Sequence, residues 1–405
     1  MKISTRIGMI LFFAFVGCGE DRSYNNPSDP ANAPTASSPA AAGTTPEKNA
    51  PEACLLATCN PPANTVYDFQ TTFNLTPAGC SSVTNIKMFD TGSGLIFFFD
   101  ANCGVRQSVY SLSSSYTGTL TGASTNLTAD CISTTGINTW DIARGIGEYM
   151  LVYSCQASTS LFNLKSIPVN FSGSPSASVV VESLTSSPVL RAAWNGTANA
   201  YGLVREGAFR RLSTLGVTVG GSIATTSSSP RLMNVVSGNW IFVSAYGSNS
   251  SSYCSKINSS AALQCNGVSI GYADSFLDGT NFLSTDYYNS NPRVMQHTLD
   301  LAGCSTSTGN TNSGITNTVG GGGFLDAVSI SSSLGAAAWL TTSSKALIIG
   351  VFSKTTSDNI YSEASVANYT TAITDVNTQI IQNKIYVAYA IDGALKVNYS
   401  TQNIP

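Results

Sequence analysis

The chain has 405 residues, of which only 10% are charged, and its formal net charge is −3. So sparse and slightly acidic a charge set excludes a nucleic-acid binder, whose affinity rests on clustered Lys and Arg. Gly, Ser, Thr and Asn crowd the gaps between short apolar runs, and long 3.6-residue periodicity is missing, which together predict an all-β protein.

Residues 1–17 have the layout of a signal peptide: Lys2 and Arg6 form a positive start, Ile7 to Val16 an apolar run, and Gly17 a small residue before Cys18. The apolar run is shorter than the roughly 20 residues that span a bilayer. Phe15-Val16-Gly17-Cys18 resembles the lipobox of bacterial lipoproteins, with Phe15 standing where that motif usually has Leu. The resemblance implies that Cys18 carries acyl chains such as palmitate, becomes the mature N-terminus and makes the membrane a partner of the protein. Gly19 after it, in place of the Asp associated with inner-membrane retention, implies the outer membrane of a cell envelope. The other reading is an ordinary secretory signal that contains a cysteine. Residues 18–52, rich in Pro, Ala, Ser, Asn and Thr, bury too little apolar surface to offset chain entropy. They are expected to form a disordered tether.

Residues 53–405 are expected to form a single domain. Seven repeats are legible, each centred on an apolar second strand: Leu95 to Phe99, Tyr149 to Tyr153, Ala200 to Val204, Trp240 to Ala245, Asn281 to Ser284, Ala336 to Leu340, and Lys384 to Tyr389. Their spacing of about 40 to 55 residues is that of β-propeller blades. Runs such as Leu-Ile-Phe-Phe-Phe do not alternate because a second strand in a blade is buried on both faces. Asp392-Gly393 between two alternating runs predicts a tight hairpin. The last repeat ends after its third strand, and the stretch Thr65 to Leu75 is expected to supply the fourth, closing a seven-bladed ring. Two β-sandwich domains are the alternative architecture.

Ten cysteines in an exported chain point to disulfides. Strand positions pair Cys80 with Cys103, Cys131 with Cys155, and Cys254 with Cys265. Cys54 with Cys59 is the easiest remaining closure, and it leaves Cys304 over. No paired CxxC spacing suggests a metal, and no cofactor is implied. His297, the one histidine, sits in an alternating strand without catalytic or zinc-binding company, so a strand residue is expected there.

Aligning the inner strands puts one polar residue at each entrance to the central channel: Asn85, Asp141, Arg191, Arg231, Asp274, Asp326 and Asp375. Such a ring is either a solvated channel mouth or a funnel for a small polar ligand. Ile385-Tyr-Val-Ala-Tyr, followed by Gly393-Ala-Leu-Lys-Val-Asn-Tyr-Ser400, resembles one blade of sialidase- and lectin-type propellers. The expected function is a lipid-anchored binding module that presents a propeller face to a glycan or an envelope protein. The alternative is an enzyme acting on cell-surface polysaccharide, a sialidase-like or paired-carboxylate glycosidase. Sialidase-type chemistry would need a Tyr-Glu pair, and Glu148, Glu182, Glu206 and Glu363 are the only glutamates after residue 52.

Overall fold

The computed structural model describes residues 69, 71–103, 106–131, 136–246, 249–271, 275–277, 281–288, 291–300, 305–312, 319–341, 346–354, 360–369 and 371–404. The first described strand is β1 (Thr71–Asn74). Then come β2 (Ser81–Asp90), β3 (Leu95–Asn102), β4 (Gln107–Ser114) and β5 (Thr125–Asn126). The next group is β6 (Ile137–Arg144), β7 (Glu148–Ser158), β8 (Leu161–Asn170) and β9 (Val179–Leu184). It is followed by β10 (Leu190–Asn195), β11 (Ala200–Arg205), β12 (Ala208–Leu212) and β13 (Thr218–Ala224). After these lie β14 (Ser229–Val236), β15 (Asn239–Tyr246), β16 (Asn249–Ile257) and β17 (Leu263–Gly271). The fifth group is β18 (Ser275–Phe276), β19 (Asn281–Tyr288), β20 (Asn291–Asp300) and β21 (Ser305–Asn312). The sixth is β22 (Val319–Ser329), β23 (Leu334–Thr341), β24 (Ala346–Ser353) and β25 (Ile360–Asn368). The chain finishes with β26 (Ile373–Ile381), β27 (Lys384–Ile391) and β28 (Ala394–Tyr399).

Each group hydrogen-bonds as a four-stranded antiparallel sheet in chain order, and β1 completes the last one beside β28. The fold is an all-β β-propeller. All seven runs expected as second strands occupy that position in their sheets. Counted as blades, however, the repeat gives six rather than the expected seven, against seven hydrogen-bonded sheets.

The double burial of second strands is directly visible. In β27, Ile385, Val387, Tyr389 and Ile391 face the core shared with β22–β25, while Tyr386, Ala388 and Ala390 face the core shared with β2–β4. β3 does the same one step on: Phe97 and Phe99 point one way, Ile96 and Phe98 the other. Each buried Phe, Ile or Val contributes on the order of 1.5–3 kcal/mol. Close approach between sheets matters too. A Cβ on Gly202 would lie 2.5 Å from the Trp240 indole of the following sheet, whose Nε1 donates to Ala193 O at 3.2 Å.

The expected hairpin is present: Asp392 and Gly393 have φ of 51° and 72°, and Ile391 pairs with Ala394. Both central residues in left-handed conformation match the right-handed strand twist. Ring closure depends on β1. Thr71 pairs with Tyr399 and Asn74 with Lys396, Leu75 N–H donates to Leu395 O at 2.9 Å, and Asn398 Nδ2 donates to Phe69 O at 3.1 Å.

Cys80 bonds Cys103 and Cys131 bonds Cys155, as expected. The third pairing is corrected. Cys254 is a buried free thiol, and Cys265 is disulfide-bonded, though not to it. A register shift between β16 and β17 sets Cys254 opposite Val268 and Cys265 opposite Lys256, so the two sulfurs do not face each other. Burial pushes the Cys254 thiol up to about 12, leaving it inert. Cys18, Cys54, Cys59 and Cys304 lie outside the described residues. His297 lies in β20, paired with Phe282.

A chain begun at residue 76 lacks β1 and leaves β28 as an open edge. Its melting temperature should fall by several degrees, and light scattering should detect concentration-dependent association. A full-length melting profile with no association would contradict closure by β1.

Candidate functional site

The inner strands line a channel whose enclosed part has a volume of about 190 Å³. Four residues expected at the entrance line it together: Asp141, Arg191, Arg231 and Asp326. Asp375 is beside this wall, with its carboxylate bonded to Ile86 N–H on β2. Asp274 lies outside the described residues. Asn85 is the correction. It has φ of 51° and is exposed, because the β2–β3 ladder shifts register between Thr84 and Lys87. Lys87, beyond that bulge, lines the channel where Asn85 does not. Asn377 and Gln379 also line it, two and four residues beyond Asp375 on the same face of β26. The period-two alternation of the inner strands was the signal for these residues, one step deeper than the entrance.

The carboxylates are occupied. Ala192 N–H on β10 donates to Asp141 Oδ2 at 2.8 Å, and Thr378 N–H on β26 donates to Asp326 Oδ2 at 2.6 Å. Met88 N–H on β2 donates to Asn377 Oδ1 at 2.8 Å, and Asn377 Nδ2 donates to Asp326 Oδ2 at 3.0 Å. Arg191 Nε donates to Arg231 O at 2.6 Å, and its Nη1 donates to Leu190 O at 2.5 Å. In every case but the last, a side chain on one inner strand meets a polar group of the next. Such bonds satisfy backbone groups that would otherwise face the channel without a partner.

Burial raises the Asp326 carboxyl to about 6, against the lowering influence of the Thr378 N–H and the Lys87 charge. Burial likewise raises Asp375 to about 6, opposed by Ile86 N–H and Lys87. Each residue as a whole is half-buried, while its carboxylate sits deep in the wall. No group of three or more metal-ligating side chains occurs among the described residues.

No family model matches the sequence, and no curated protein matches it. Solved structures of similar shape include CoXyl43, a GH43 β-xylosidase/α-arabinofuranosidase from a compost microbial metagenome. It is 11% identical with a TM-score of 0.35, over 57% of this chain and 90% of that one. The WD40 domain of Toxoplasma gondii coronin is 10% identical with a TM-score of 0.43, over 84% of this chain and 90% of that one. A subtype N10 neuraminidase-like protein of A/little yellow-shouldered bat/Guatemala is 10% identical with a TM-score of 0.42, over 84% and 99%. At such identities and TM-scores, no site or activity passes from them to this chain.

Folded Asp326 and Asp375 keep protons that an unfolded chain, with carboxyls near 3.8, has released by pH 6. Their contribution to stability is full below about pH 4 and is lost as pH rises through 6. Glu182 acts in the opposite sense: burial raises it, but hydrogen bonds from Arg205 and Arg210 bring it down to about 2. Its contribution is lost only below pH 4.5, as pH falls toward 2. The melting temperature should therefore fall between pH 5 and pH 7. Asp326→Asn combined with Asp375→Asn, which keeps an amide oxygen as acceptor at each position, should flatten that slope. An unchanged slope would show that these carboxyls are not the titrating groups.

Proposed function

We propose that the protein is a lipid-anchored envelope binding module whose channel mouth captures a carboxylated glycan. The observation that supports this most is the division of labour in the channel wall. Asp141, Asp326 and Asp375 spend carboxylate oxygens on backbone N–H groups, whereas among the described residues Arg191 Nη2 has no hydrogen-bond partner and Lys87 makes no hydrogen bond or close ion pair. Cationic donors lining the channel favour an anion that also carries hydroxyls, for which Asn377 and Gln379 offer neutral partners. Binding is preferred to glycoside hydrolysis on the same observation, because carboxylates engaged as backbone acceptors are poorly placed to pass a proton to a substrate. An envelope protein bearing an acidic loop would meet the same donors.

The seven-bladed reading belongs here as well. Seven buried clusters that each join consecutive sheets, from β22–β28 around to β18–β24, support a closed seven-membered ring. Residues 18–52 would tether this ring to the outer membrane through Cys18.

Trigalacturonate is a suitable probe for the full-length protein. Lys87→Ala combined with Arg191→Ala should weaken its binding by about 100-fold, from the loss of two charge-assisted bonds at roughly 1.5 kcal/mol or more each. Wild-type binding should strengthen from pH 7 to pH 5 as Asp326 loses its charge. Unaltered affinity in the double variant would leave the mouth merely solvated. For the anchor, Cys18→Ser should move the protein out of the membrane fraction of a lipoprotein-processing bacterium. If the variant still fractionates with membranes and migrates as wild type does, the lipoprotein reading fails.

A further inference from the structure

The sheet β2–β5 carries a groove beside its short outer strand. Its outer strand β5 has two residues, whereas β9, β13, β17 and β25 have 6, 7, 9 and 9. The chain touches β4 once, at the bridge between Ser114 and Leu120, departs over residues 121–124, and returns where Ser111 pairs with Thr125. Ser113 sits opposite the departure. Its C=O accepts Thr121 N–H at 3.0 Å, but its own N–H, directed to the same side of the strand, meets no acceptor among the described residues.

A cavity of about 450 Å³ occupies the place of the missing strand. Eight of its 14 lining residues are Ser or Thr, and none is charged. Buried Leu95 and Leu112 contribute apolar surface. Phe171, from the β8–β9 turn of the adjacent sheet, closes one side. Its ring is held by the Arg144 guanidinium 4.9 Å from its centroid and by the edge of Tyr149 at 5.2 Å. Ser111 Oγ ties that turn to β4 through Gly173 O at 2.7 Å.

We propose that this groove binds a neutral sugar unit of a glycan. Hydroxyl side chains both donate and accept, as the ring hydroxyls of a sugar require, and the Ser113 N–H adds a fixed donor. Phe171 and the two leucines offer apolar surface to the carbon face of a sugar ring. The volume lies within the roughly 300–1,000 Å³ range of small-molecule sites, room for a short oligosaccharide. The absence of charge separates this ligand from the anion proposed for the channel. An extended peptide fits less well, because Thr121 already holds the Ser113 carbonyl that a paired strand would need.

The test titrates full-length protein with cellotetraose, maltotetraose and mannotetraose by calorimetry, alongside two variants. Ala123 is exposed at the groove, so Ala123→Trp fills it without disturbing the core. We expect at least one probe to bind, Ala123→Trp to weaken it tenfold or more at unchanged melting temperature, and the Lys87→Ala/Arg191→Ala variant to bind it as wild type does. Hydrogen-exchange protection on binding should fall at residues 111–125, a readout on the wild-type chain that needs no variant to fold. The proposal is overturned if no neutral probe binds, if Ala123→Trp binds undiminished, or if protection falls on the channel strands instead.

Discussion

Inner strands of a propeller face a channel, and their polar backbone groups must find partners there or remain exposed. In this protein the partners come from the neighbouring sheet. Asp141 reaches from β6 to the Ala192 N–H, Arg191 from β10 to the Arg231 C=O, Asp326 from β22 to the Thr378 N–H, and Asp375 with Asn377 from β26 to Ile86 and Met88. Each contact is modest by itself, about 1–3 kcal/mol when one partner is charged. Together they tie β6 to β10 to β14, and β22 to β26 to β2, along the channel wall. The polar ring of the channel is thus structural before it is anything else.

That constraint shapes the chemistry left over. Burial raises the Asp326 and Asp375 carboxyls to about 6, so both lose their charge as pH falls from neutrality. Below about pH 6 the electrostatic character of the mouth then follows its cations. At the periphery the same accounting runs the other way. Where β5 stops after two residues, the Ser113 N–H on β4 has no acceptor among the described residues.

Much of the fold was legible because second strands are buried on both faces. Leu95–Phe99 and Lys384–Tyr389 lack alternation for that reason, and the spacing of such runs located all seven sheets. The closing strand was legible from Phe73 and its neighbours because nothing local could pair with them. Bulges were the main obstacle. A register shift on β2 moved the channel position from Asn85 to Lys87, and another between β16 and β17 separated Cys254 from Cys265. One inserted residue reverses which side chains face inward, and single-sequence spacing carries no mark of it. The groove was hidden for a related reason: the run from Ser113 to Thr125 contains nothing but small polar turn residues and a few apolar ones, so a missing strand looks like an ordinary loop.

The most direct test of the inter-sheet ring is amide hydrogen exchange resolved to single residues. Ile86, Met88, Ala192 and Thr378 have N–H groups that would face the channel if the side chains of the adjoining sheet did not take them. Protection at these four should be comparable to that of amides within the β26–β27 ladder, and Asp141→Ala should lose protection at Ala192 alone. Exchange at the rate of exposed loop amides in the wild-type protein would contradict the inter-sheet ring.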